Sequence, residues 1–105
     1  MKILYHYTDA LRFEAIQREG LKPHPSLDKM CDRPCIWFTE ADQAPWLKYG
    51  THRLTVEVRK DQVHPYSQCM GPQAVHMKDW KIYFPEWWVS FDPIPATQIV
   101  GTCLV

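Results

Sequence analysis

A chain of 105 residues with twelve basic and twelve acidic side chains carries no formal net charge, and nearly half of it is hydrophobic. Such a chain has room for one core, and its five Trp, five Tyr and four Phe supply large burial per residue, which excludes a disordered segment. Neutrality argues against a generic nucleic-acid binder, because neutralising many phosphates needs a basic surplus. No run of roughly eighteen apolar residues occurs, so no membrane span is expected. The start, Met1-Lys2-Ile3-Leu4-Tyr5-His6, is not a signal peptide. A cytoplasmic location and reduced thiols are therefore the default expectation.

No repeat or linker divides the sequence, so residues 1–105 are read as one domain. Lys2 to Tyr7, aromatic and branched, reads as a strand. A helix follows from about Asp9 to Glu19, capped by Thr8 or Asp9 and closed by Gly20. Ala10, Phe13 and Ile16 give it one face to bury. Lys22 to Arg33, with Pro23 and Pro25, reads as a loop, and Pro34 to Thr39 as a buried strand. Glu40 to Tyr49 reads as a short helix, limited by Pro45. Arg53 to Val58 alternates apolar and polar residues, the pattern of a half-buried strand.

Lys60 to Trp80 is expected to be loop, with a helical turn or two near Gln73 to Lys78 and a simple turn at His64-Pro65-Tyr66. Trp87 to Phe91 is a strand, and Gln98 to Leu104 another after the Pro93-Ile94-Pro95 corner. The sum is an α+β domain: a mixed, mostly antiparallel sheet of about five or six strands with two short helices.

His6 lies between two tyrosines, so its side chain and theirs face opposite ways. If Tyr5 and Tyr7 enter the core, His6 faces a cleft on the other side. Trp37 and Phe38 alternate in the same way, with Thr39 and Glu40 just beyond; an aromatic beside a His and a hydroxyl suits stacking on a heterocycle and bonding its sugar. Cys31, Cys35 and His24 offer a C-x3-C with no second matching pair, too little for a zinc site. Cys69 with His76 lacks any nucleophile motif. Cys103, in an apolar strand, is expected to be a buried small hydrophobe. Of Trp87 and Trp88, one indole falls on each face of the strand.

Leu4-Tyr5-His6-Tyr7-Thr8, a short helix ending at Gly20, then Ile36-Trp37-Phe38-Thr39-Glu40 and Lys48-Tyr49-Gly50 form a succession that resembles the ADP-ribosyltransferase-like superfamily of toxins, poly-ADP-ribose polymerases and RNA 2′-phosphotransferases. The resemblance covers the first fifty residues or so best. It implies NAD as substrate, with His6 bonding the adenosine ribose and catalytic roles for His6, Tyr7 and Glu86. Thr8, Trp37, Phe38, Thr39 and Tyr49 would line the nucleotide cleft with His6 and Tyr7. Most members place a Glu or Gln where this chain has Trp87 or Trp88, with Glu86 one or two residues early. A carboxylate there would stabilise the oxocarbenium charge that develops as the nicotinamide–ribose bond breaks. A register shift of one turns Glu86 away unless a bulge returns it.

Three functions follow from the resemblance. The first is mono-ADP-ribosyl transfer from NAD to a macromolecular acceptor, protein ahead of nucleic acid. The second is a catalytically inactive protein-binding effector using Trp46, Trp80, Trp87 and Trp88. The third is an RNA 2′-phosphotransferase-type enzyme gripping phosphate with Arg12, Arg33 and Arg53.

Overall fold

The computed structural model describes residues 1–24, 33–40, 52–68 and 87–104. Six strands form one sheet: β1 (Lys2–Thr8), β2 (Ile36–Thr39), β3 (His52–Val58), β4 (His64–Pro65), β5 (Trp87–Ser90) and β6 (Ile99–Leu104), in the spatial order β4-β5-β2-β1-β3-β6. Every described pairing is antiparallel, so no parallel strand accompanies them as the mixed sheet expected from the sequence would require. One α-helix, α1 (Ala10–Glu19), is present among the described residues; the second expected helix, from Glu40 to Tyr49, and the turns near Gln73 to Lys78 lie outside them.

Local chemistry sets the ends of α1. The Asp9 carboxylate accepts the Arg12 N–H at 2.8 Å, satisfying one of the orphan donors of the first turn. At the other end Gly20 adopts φ +80°, and its N–H bonds the Ile16 carbonyl at 2.8 Å. The glycine is also required by space, since a Cβ there would collide with the Ile94 carbonyl and come within 2.9 Å of the Ala96 nitrogen. Immediately beyond, Leu21 and Ile94 exchange two backbone hydrogen bonds of 2.9 Å. That bridge seats the Pro93-Ile94-Pro95 corner against the end of the helix.

Strand alternation divides the sheet into two packed faces. On the first, Leu4, Ile36, Phe38, Leu54, Val56 and Val58 bury together with Leu21, Val63 and Ile94, and Phe13 and Ile16 of α1 pack onto them; Ala10 remains exposed. On the second, Cys35, Tyr66 and Val89 are buried beneath Trp37, Trp87 and Phe91. Tyr66 is fully buried and lies 4.7 Å from Trp37, ring centre to ring centre. His64-Pro65-Tyr66 is therefore no simple turn: His64 and Pro65 pair with Val89 and Trp88, and Tyr66 begins a short 3-10 helix that fills the second face. The expected loop from Lys60 holds this strand and two 3-10 turns. Cys103 is exposed, against expectation, because β6 is an edge strand with a neighbour only at β3.

No helix among the described residues is long and apolar enough to cross a membrane.

Candidate functional site

The pairing of β1 is lopsided. It matches β3 residue for residue from Lys2↔Val58 to Thr8↔His52, but meets β2 in register only at Tyr5↔Thr39. That is the one register pair between the two strands. His6, the next residue, links the strands by its side chain, with Nδ1 2.7 Å from the Trp37 carbonyl oxygen. A carbonyl only accepts, so Nδ1 carries the proton and Nε2 is the basic nitrogen of the neutral ring.

His6 is half-buried and packs edge-on to Phe38 with ring centres 5.9 Å apart. Burial pushes its pKa below the ordinary histidine value; the Trp37 hydrogen bond opposes this, and the positive charges of Arg12 and His24 lower it further. The ring is thereby held as a neutral base whose orientation is fixed by one backbone oxygen.

His6 faces the first core with Leu4 and Thr8, while Tyr5 and Tyr7 face the second. Of the residues expected to line one cleft, His6, Thr8 and Phe38 share the first face, and Tyr7, Trp37 and Thr39 share the other. Thr8 and Thr39 are both buried. Tyr49 and Glu86 lie outside the described residues.

Two residues weighed in the sequence for other roles, Arg12 as a phosphate contact and His24 as a zinc ligand, bear electrostatically on His6. Arg12 sits in the first turn of α1. His24 is held beside the start of β2 by two 3.1 Å backbone hydrogen bonds with Cys35. Neither belongs to a recognisable motif, and a long-range bridge such as His24↔Cys35 leaves no local sequence signal.

On the first face, Glu40 accepts from Lys2 Nζ at 2.9 Å and from Trp88 Nε1 at 3.0 Å, and the Lys2 ammonium lies 4.5 Å from the centre of the Trp88 ring. The Lys2 hydrogen bond, followed by that of Trp88, holds the Glu40 carboxyl below its usual range. Trp87 points to the opposite face and meets Trp37 edge-on, as alternation requires. The position that the resemblance would give to a carboxylate thus carries two indoles engaged in packing.

A separate cavity of about 310 Å³ lies among Arg59, Gln62, Ser90, Asp92 and Gln98, with none of the expected site residues in its lining. Its Gln62 and Gln98 amides bond each other at 2.8 and 3.1 Å, and Gln98 also donates to the Glu57 carbonyl, which is what a strand-end clamp requires. Among the described residues no three His, Cys, Asp or Glu side chains come together as a metal site; Cys31, Cys69 and His76 lie outside them. No protein-family model, curated protein or solved structure matches the chain significantly.

Proposed function

We propose that this chain is a cytoplasmic NAD-binding, mono-ADP-ribosyltransferase-like protein that transfers ADP-ribose to a macromolecular acceptor, using the opening between β1 and β2 as its nucleotide site. The observation that carries this reading is the His6–Trp37 bond. It joins the two sequence segments that resemble the transferases just beyond their one register pair, Tyr5↔Thr39. A neutral imidazole with a fixed tautomer offers Nε2 as an acceptor for a ribose hydroxyl, and the Phe38 ring supplies an apolar wall. Glu86 remains the candidate carboxylate and Tyr49 the candidate nicotinamide contact, while Tyr7 faces the side of the sheet opposite His6.

The test is nicotinamide release and acceptor labelling from NAD by wild type, His6→Ala and His6→Asn. Asparagine can keep the bond to Trp37 but lacks Nε2, so it separates folding from ligand binding. Activity in wild type, lost in both variants, supports the reading. Absence of nicotinamide release and labelling in wild type sinks the enzyme.

A second reading, an inactive ADP-ribosyltransferase-like fold that binds protein, is favoured by one observation. Trp88 is bonded to Glu40 and Trp87 is packed on Trp37, where a transferase would carry its carboxylate. NAD binding without turnover, in a Glu86→Gln comparison that changes nothing, would select it.

A further inference from the structure

The two edges of the sheet are built differently. β4 is two residues long and carries Pro65, the short, proline-bearing form that discourages further pairing. β6 runs for six residues, Ile99-Val100-Gly101-Thr102-Cys103-Leu104, with no charged side chain and no proline. No described strand lies beyond it. Its one bulge falls near its start, at Val100, which the ladder with β3 skips; Gly101 to Leu104 keep unbroken register with Thr55 to His52. Val100 and Leu104 are 55% and 72% exposed, and Thr102 and Cys103 between them are exposed as well. An uncharged, largely exposed strand at the end of a sheet is a template for one more strand.

We propose that β6 pairs antiparallel with β6 of a second copy of this chain, about a twofold axis at Thr102, joining the two six-stranded sheets edge to edge. This stands apart from the NAD reading and holds whether or not that reading does. In an antiparallel pair of identical strands, a twofold axis requires one residue to face its own copy. With Thr102 at that centre, Leu104 faces Val100 of the second copy, and Gly101 faces Cys103. The two large side chains that β6 leaves most exposed then cover each other, and threonine meets threonine at the axis, a favourable cross-strand pair. Centring on Gly101 or Cys103 instead would set Val100 or Leu104 against Thr102. The strand is thus complementary to itself, and a chain with no formal net charge adds no long-range repulsion between copies. Six residues a side make a small interface, for which micromolar dissociation is expected.

The experiment measures the mass of the full chain by sedimentation equilibrium from about 1 µM to about 0.5 mM. Reductant throughout keeps the exposed Cys103 thiol from cross-linking copies. Wild type is compared with Thr102→Lys, Thr102→Glu and an equimolar mixture of the two variants. Thr102 is exposed, so both variants are expected to fold, which thermal unfolding checks. Wild type should approach twice the chain mass at the highest concentrations. Each variant sets like charges face to face at the axis and should raise the Kd about tenfold or more, while the mixture should dimerise within about threefold of wild type. Amide hydrogen exchange of Gly101 to Leu104 in wild type, which needs no substitution, should slow as concentration rises. A wild type that stays monomeric throughout would overturn the pairing and leave the edge to a strand of another protein. A dimer with the same Kd in both variants, or with β6 exchange independent of concentration, would overturn it by showing that another surface associates. A mixture no tighter than its separate components would overturn the twofold at Thr102, and the proposal with it.

Discussion

The imidazole of His6 donates through Nδ1 to the carbonyl of Trp37 at 2.7 Å, so a side chain adds to the contact between β1 and β2 beyond their one register pair. Removing it strands an acceptor in a partly buried place. His6→Ala should therefore lower stability by about 1–3 kcal/mol, and His6→Asn, which keeps a donor within reach, by clearly less. Urea denaturation midpoints of the two variants check this; equal losses would mean that ring packing on Phe38, and not the hydrogen bond, carries the effect.

Stability should also depend on pH through this residue. The pKa of folded His6 is lowered, first by burial, so the unfolded chain binds the proton more readily. The contribution is complete above the unfolded value of 6.5 and is lost as pH falls below it towards the folded pKa. Wild type should lose stability on going from pH 7.5 to pH 5.5, and His6→Asn should lose less over the same interval. Parallel profiles would refute the assignment.

Gly20 combines a positive φ with a backbone wall formed by Ile94 and Ala96. Gly20→Ala is expected to destabilise by at least about 1–3 kcal/mol, the scale of forcing a side chain into a sparsely populated backbone region, with the collision adding to it. A thermal-unfolding midpoint unchanged within error would show that the helix end can re-form without the left-handed turn.

The Lys2–Glu40–Trp88 contact makes a different prediction. The Glu40 carboxyl is held low, chiefly by its Lys2 hydrogen bond, so its stabilisation is present above the ordinary value of 4.5 and fades as pH falls through the lowered one. Both partners are partly solvent-exposed, and Lys2→Met should cost less than about 1 kcal/mol at neutral pH. The Glu40 titration, followed by NMR, should move up in Lys2→Met and by a smaller amount in Trp88→Phe.

Five of the six strands, all but β4, and the single described helix were legible because their signals are local. Asp9 and Gly20 flank an apolar 3.6-residue repeat, and Leu54, Val56 and Val58 alternate as a half-buried strand must. What escaped was long-range. Nothing near His64 announces that it will face Val89, and Tyr66 looks like a turn residue until the ring of Trp37 is beside it. Cys103 appeared apolar and interior from composition, but interior position depends on which strand ends the sheet. At the site, alternation foretold that His6 and Tyr7 would diverge; which face each took depended on where α1 packed. The bridge that holds His24 beside Cys35 is likewise long-range, and no motif encodes it.

The strand order has a kinetic consequence. Lys2 faces Val58, Ile36 faces Ser90 and His52 faces Leu104; no described pairing is a hairpin. Each ladder must close a long loop before its first contacts stabilise it, and a protein wired in this way is expected to fold on the millisecond-to-second scale typical of nonlocal β topologies. Neither half of the chain holds both sides of the β1–β3 or β2–β5 ladders, so a nascent or proteolysed half presents unpaired strand edges. Separately made halves, divided after Glu40, should each fail to form the six-stranded sheet alone and regain it only on mixing.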